Sequence, residues 1–109
     1  MASPKIHPSA LVDPKAELGP DVEVGPFAVI EAGVEIGRGT KIGPRARICS
    51  GTRIGEENDL RIGVVLGTPA SAGPGPSEGV VLGARNVLRE YATVVSGNGG
   101  GPTCLGSGN

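Results

Sequence analysis

Tryptophan is absent from this chain of 109 residues, and Phe27 and Tyr91 are its only aromatic side chains. That excludes the usual globular core, in which large aromatic rings supply much of the buried apolar area. Histidine occurs once, at His7, so a metal site built from several imidazoles is excluded as well. Cys49 and Cys104 stand far apart with no CxxC spacing, which speaks against a zinc knuckle or a disulfide framework and fits a reduced, cytoplasmic compartment. The net charge is −1, with no basic run to follow a phosphate backbone, so nothing points to nucleic acid. No apolar stretch is long enough to span a membrane, and the opening Met1-Ala2-Ser3-Pro4-Lys5 has no apolar signal-peptide core.

What is abundant is glycine, at twenty residues, and proline, at ten. Such a composition usually marks disorder. Here it is overruled by a regular series of aliphatic residues. Every sixth position is Ile, Leu or Val from Ile6 through Val12, Leu18, Val24, Ile30, Ile36, Ile42, Ile48, Ile54 and Leu60 to Leu66. A period of six matches neither a helical stripe at 3.6 nor plain strand alternation at 2. Internal repeats of this kind indicate short strands stacked coil upon coil.

Taking each aliphatic plug as position i, position i+4 is small or β-branched almost throughout (Ala10, Ala16, Val22, Ala28, Val34), with Asn58, Asn86 and Asn109 as polar exceptions. Those three are read as supporting the backbone through side-chain hydrogen bonds. Position i+1 is mostly glycine (Gly19, Gly25, Gly37, Gly43, Gly55, Gly67), read as permissive turn backbone. Pro8, Pro14, Pro20, Pro26 and Pro44 all fall at i+2, where a turn tolerates them and a strand ladder does not. Three hexads close a triangular coil of about eighteen residues, and successive coils pair as parallel strands roughly 4.8 Å apart. Each coil is then stabilised by its neighbours. The expectation is all-β: a triangular prism of hexapeptide repeats, a parallel β-helix of about five coils with two loop insertions.

The period is interrupted twice. After Leu66 the plugs resume at Leu82, Leu88 and Val94, and then at Leu105. Residues 68–79, rich in Ala, Ser, Gly and Pro, read as an extruded loop, and residues 97–102 as a glycine-rich one. Loops leaving a rigid scaffold are where function usually resides. Asn109 stands in mid-hexad with no polar cap after it. The expectation is therefore a single domain over 1–109 that is cut short at its C-terminus, with an exposed and self-associating upper coil.

A narrower likeness sits on particular segments. Ile6-His7-Pro8-Ser9-Ala10 and Val24-Gly25-Pro26-Phe27 resemble the first coils of the acyl carrier protein–UDP-N-acetylglucosamine O-acyltransferases, the enzymes that begin lipid A synthesis. Leu82-Gly83-Ala84-Arg85-Asn86-Val87-Leu88-Arg89-Glu90 resembles that family's Gly-Asp-x-Asn-x-Ile-Arg-Glu stretch, and Gly99-Gly100-Gly101-Pro102-Thr103-Cys104-Leu105-Gly106 its triple-glycine segment. The resemblance implies a left-handed coil, a homotrimer, acyl carrier protein as acyl donor, a UDP-sugar as acceptor, and no cofactor or metal. It implies a histidine general base and backbone amides that stabilise the oxyanion. The position of that histidine in the family follows the segment ending at Asn109, and no residue here matches it. His7 reads instead as an exposed turn residue. Two departures stand out: the first loop lacks the family's Gln-Asp and Lys-Tyr pairs, and Val95 aligns with a further family histidine.

No catalytic residue is therefore assigned. Arg89 and Glu90 are the candidates for substrate contact, against the competing view that adjacent surface charges are solvated or paired with each other. Phe27 and Tyr91 read as wedged at prism corners, and the two cysteines lack a base partner. Two functions compete: the N-terminal β-helix part of such an acyltransferase, inactive alone, or a non-catalytic scaffold or oligomerisation module. A zinc-dependent, carbonic-anhydrase-like protein of the same fold is excluded by the single histidine.

Overall fold

The computed structural model describes residues 3–68, 79–95 and 102–109. The two interruptions of the period therefore lie largely outside the described residues, at 69–78 and 96–101. The rest forms fifteen short strands in three parallel five-stranded sheets. The first sheet stacks β1 (Lys5–Ile6), β4 (Glu23–Val24), β7 (Lys41–Ile42), β10 (Asp59–Leu60) and β13 (Val87–Leu88). The second stacks β2 (Leu11–Val12), β5 (Val29–Ile30), β8 (Arg47–Ile48), β11 (Val65–Thr68) and β14 (Thr93–Val95). The third stacks β3 (Glu17–Leu18), β6 (Glu35–Ile36), β9 (Arg53–Ile54), β12 (Val80–Leu82) and β15 (Thr103–Leu105). One strand from each sheet makes a coil, and five coils make the prism.

Register follows the plugs. Ile6 lies beside Val24, Val24 beside Ile42, Ile42 beside Leu60 and Leu60 beside Leu88, and the other two sheets repeat the arrangement. The period survives its interruptions, since Leu82 pairs with Ile54 and Leu105 with Leu82. The plug columns fill the prism axis: Ile30, Ile48, Leu60 and Leu66 are at most 1% exposed, whereas Ile6 in the lowest coil is 43% exposed. Each full burial contributes about 1.5–3 kcal/mol. The short strands hold because every plug rests on another from the coil above or below.

The corners correct one expectation. The left-handed residue of a corner is the third after the plug, not the first. Asp21, Phe27, Arg45, Glu57, Arg85 and Tyr91 all have φ between 57° and 62°, a conformation that costs about 1–3 kcal/mol for a residue with a side chain. The corner is held there because its amide donates to the coil beneath: Arg45 N–H to Pro26 O at 2.9 Å, Glu57 to Arg38 O at 2.9 Å, Tyr91 to Ile62 O at 2.8 Å. The glycine just after the plug answers a different need, namely close stacking. A Cβ at Gly37 would stand 2.7 Å from the carbonyl carbon of Gly55, and one at Gly55 would stand 2.7 Å from the Gly83 oxygen.

These glycines line the corner between the third and first sheets, and the polar i+4 residues face them from inside. Thr40 Oγ1 donates to Gly55 O at 2.8 Å, Asn58 Nδ2 to Gly83 O at 2.8 Å and Asn86 Nδ2 to Gly106 O at 2.7 Å. Returning bonds climb the same column: Asn86 N–H donates to Asn58 Oδ1 at 2.9 Å, and Asn109 N–H to Asn86 Oδ1 at 2.8 Å. The supporting role expected of the asparagines is thus met by a continuous ladder, buried at Asn58 and Asn86 and exposed at Asn109.

Phe27 and Tyr91 do occupy corners, but they are not wedged inside. They are 64% and 67% exposed, and the Tyr91 ring lies across Gly63 of the coil below.

Candidate functional site

Both interruptions fall at one corner, between the second and third sheets, in neighbouring coils: the first between Thr68 at the end of β11 and Gly79 before β12, the second between Val95 and β15. The residues beneath this exit differ from those of the glycine corner: the i+1 column reads Asp13, Glu31, Cys49, Gly67 and Val95.

Glu31 anchors the corner. Its carboxylate accepts the Ser50 amide at 2.9 Å and Arg47 Nη2 at 2.9 Å. The Ser50 N–H first, and then the Arg47 guanidinium, hold its carboxyl below the ordinary carboxylate range. Cys49 lies beside this pair with 8% of its surface exposed. Burial pushes its thiol up, the Glu31 carboxylate pushes the same way, and Arg47 and the Thr68 hydroxyl only partly oppose them. Cys49 is therefore a protonated, inert thiol rather than a nucleophile.

At the exit itself the pattern fails. Gly67 has φ 88°, the register shifts between Leu66 and Thr68, and the neighbouring strand follows that shift. Thr52 occupies the place on this corner that Thr40 holds on the glycine corner. Among the described residues its buried hydroxyl has no hydrogen-bond partner, and it stands 2.5 Å from where a Cβ on Gly67 would lie.

The predicted substrate contacts lie elsewhere. Arg89 and Glu90 sit on the corner between the first and second sheets, in a surface charge chain. Arg61 Nε donates to Asp59 Oδ2 at 3.0 Å, Arg61 reaches Glu90 Oε1 at 3.5 Å, and Arg89 Nε lies 3.6 Å from the same oxygen. Arg89 is 76% exposed. The geometry describes a solvated network worth at most about 1 kcal/mol per pair. His7 is exposed on the lowest coil, and its Nδ1 meets the Ser9 hydroxyl at 2.8 Å. The Glu31 and Arg47 pair was not picked out from sequence. Its signal was present, because the eighteen-residue coil puts position 47 beside position 29 of the neighbouring strand, and so within reach of Glu31.

Among the described residues no group of His, Cys, Asp and Glu could hold a metal ion, and no helix is long and apolar enough to cross a membrane.

Three parallel sheets of stacked strands two to four residues long, with one aliphatic plug per hexad, define a hexapeptide-repeat β-helix protein. No family model matches the chain. The acyl-[acyl-carrier-protein]–UDP-N-acetylglucosamine O-acyltransferase of Stenotrophomonas maltophilia is 50% identical over 116 aligned positions, covering 98% of this chain and 42% of the relative. The enzyme of the same description from Ralstonia nicotianae is 54% identical over 101 positions, covering 85% of this chain and 35% of the relative. Among solved structures, the UDP-N-acetylglucosamine acyltransferase of Bacteroides fragilis superposes with a TM-score of 0.88 at 34% identity, covering 94% of this chain and 41% of that one. The acyltransferase of Campylobacter jejuni gives 0.84 at 36% identity, with the same coverage of both chains. The chain belongs to the acyl-[acyl-carrier-protein]–UDP-N-acetylglucosamine O-acyltransferase family and corresponds to its N-terminal, left-handed β-helix part. It spans about two fifths of the length of the curated relatives it matches.

Proposed function

We propose that residues 1–109 serve as the β-helix portion of a cytoplasmic acyltransferase that moves an acyl group from acyl carrier protein to a hydroxyl of UDP-N-acetylglucosamine, the first step of lipid A synthesis, and that they carry no turnover alone. The observation that carries this reading is identity to such enzymes along nearly the whole chain, through both interruptions of the period. The chemistry of the residues agrees with the second half of the proposal. Acyl transfer to a hydroxyl needs a general base near neutral pH. The one histidine is engaged with Ser9 on an exposed corner, and Cys49 is buried and protonated.

The chain's part is then positional: a rigid prism from which two segments emerge at adjacent levels. A homotrimeric assembly is part of the proposal. It is supported by the uneven outer faces. The second sheet presents Leu11 (69% exposed), Val29 and Val65 outward, and its one charge, Arg47, is held by Glu31. The first sheet presents Lys5, Glu23, Lys41 and Asp59.

The test is a chimera in which residues 1–109 replace the matching part of the Stenotrophomonas relative. Turnover of acyl carrier protein thioester and UDP-N-acetylglucosamine by a trimeric chimera, with none from 1–109 alone, is the expected result. A folded, trimeric chimera without turnover would overturn the acyltransferase reading and favour the non-catalytic scaffold. In the same chimera, Arg89→Ala and Glu90→Gln decide whether that pair touches substrate, since a substrate contact predicts a KM raised by about fivefold or more.

A further inference from the structure

The column of residues just after the plug on the exit corner carries two carboxylates, Asp13 and Glu31, one coil apart. They serve different coils. Asp13 Oδ1 accepts the Lys15 N–H of its own corner at 2.8 Å. Glu31 is one methylene longer. Its Oε1 reaches up to the Ser50 N–H of the next coil at 2.9 Å, while Oε2 takes Arg47 Nη2 at 2.9 Å. Ser50 stands at i+2, the position that Pro8, Pro14, Pro20, Pro26 and Pro44 fill elsewhere, so this corner has an amide where those have none.

The corner held in this way, Cys49-Ser50-Gly51 with Thr52 after it, is where both described ends of the first interruption rest. Gly67 and Gly79 are buried and left-handed, with φ 88° and 79°. A Cβ on Gly67 would stand 2.5 Å from Thr52 Oγ1 and 3.3 Å from Cys49 Cβ, and one on Gly79 would collide with the Gly51 carbonyl oxygen. Gly79 passes the contact upward, since its carbonyl accepts the Thr103 N–H of the fifth coil at 3.2 Å. Packing this close transmits a shift of the corner to both stems, and the Ser50 amide ties that corner to the coil beneath.

We propose that Glu31 is a positioning residue: by holding the Ser50 amide it fixes the seat of both stems of the first interruption, and through that seat the affinity for a substrate. The link to substrate rests on the acyltransferase reading and on the general placing of binding groups in loops carried by a rigid scaffold. The seat itself stands without either. Glu31 acts here by its reach and not by its charge.

Three variants separate reach from charge. Glu31→Gln keeps the length and an accepting oxygen, Glu31→Asp keeps the charge and loses the length, and Glu31→Ala loses both. In residue-resolved NMR of the chain, protection of the Ser50 amide should fall about fivefold in Glu31→Asp and Glu31→Ala, the scale of one net hydrogen bond. The Gly67 and Gly79 amide resonances should be displaced with it, and Glu31→Gln should keep all three near the parent. In the chimera with the Stenotrophomonas relative, Glu31→Asp and Glu31→Ala should raise the KM for one of the two substrates about fivefold with kcat within about twofold, and Glu31→Gln should restore it. Glu35→Ala, which removes the exposed Glu35–Arg53 pair of the third sheet, should change none of these. A Glu31→Asp protein that matches the parent, a loss of Ser50 protection that leaves Gly67 and Gly79 unmoved, or an active Glu31→Ala chimera with parental KM values would overturn the proposal. A parent chimera without turnover would overturn the acyltransferase reading alone, and the order of the three variants by NMR would still decide the seat.

Discussion

The two corners that flank the third sheet are built from the same hexad and behave as opposites. The glycine corner, with Gly37 and Gly55 stacked outside and Thr40, Asn58 and Asn86 laddered inside, bonds each of these buried side chains to a carbonyl. The exit corner replaces glycine by Glu31 and Cys49, gives up the ladder, and leaves the Thr52 hydroxyl without a partner. A glycine column lets coils approach until carbonyls meet side-chain amides, and that closeness leaves no opening for extra chain. The exit corner gives up the tight stacking, and there the period is interrupted twice and resumes with its register intact. Rigidity and permissiveness are thus allotted to different edges of one prism.

The largest way to break the contrast is to remove the ladder. Asn58→Ala orphans the part-buried Gly83 carbonyl and the buried Asn86 amide at once, and should cost about 3 kcal/mol in urea unfolding. Gly55→Ala, which drives a Cβ to within 2.7 Å of the Gly83 oxygen, should cost about 3 kcal/mol by the same measurement. A Gly55→Ala protein as stable as the parent would mean that the coils can part without penalty. The two threonines sharpen the contrast further. Thr40→Val should destabilise by about 1–2 kcal/mol, whereas Thr52→Val should be neutral or stabilise by about 1 kcal/mol, since it removes an unpaired buried hydroxyl. Equal losses at the two sites would mean the corners are energetically alike.

The smallest effect is electrostatic. Glu31 has a lowered carboxyl pKa, so the stability it adds is present above the ordinary value of 4.5 and is lost as pH falls through the lower, folded value. Glu31→Gln should therefore be less stable than the parent at pH 6 by under about 1 kcal/mol, and the gap should narrow as the medium is made more acid than 4.5. A gap that widens on acidification would refute the assignment.

Much of this was legible in the residues. The plug at each sixth position specified three sheets, five coils and a register that carries Leu60 onto Leu88 across an interruption. It did so because one buried aliphatic per hexad admits one way to stack. Asn58 and Asn86 could be read as backbone supports, because an amide facing a prism interior has only carbonyls and amides to meet. The left-handed position was not legible. Glycine marks it at Gly39 and Gly63, but Arg45, Glu57, Arg85 and Tyr91 occupy it equally well, because the bond to the coil beneath enforces a conformation that local preference would refuse. Glycine at i+1 therefore suggested a turn where the real constraint was the distance to the next coil. The Glu31 and Arg47 pair, sixteen positions apart, and the orphaned Thr52 depend on contacts between coils that no single hexad displays. Arg89 and Glu90 drew notice as a motif, and in space they join Asp59 and Arg61 in one charge chain.

The bonds between coils run both ways along the axis: Lys5 N–H donates up to Val22 O and Glu23 N–H to Thr40 O, while Arg45 N–H donates down to Pro26 O and Glu57 N–H to Arg38 O. The peptide dipoles of the stack therefore largely cancel, unlike those of a helix. An end face of the prism offers donors and acceptors in alternation, so any strand that pairs with it must bring both.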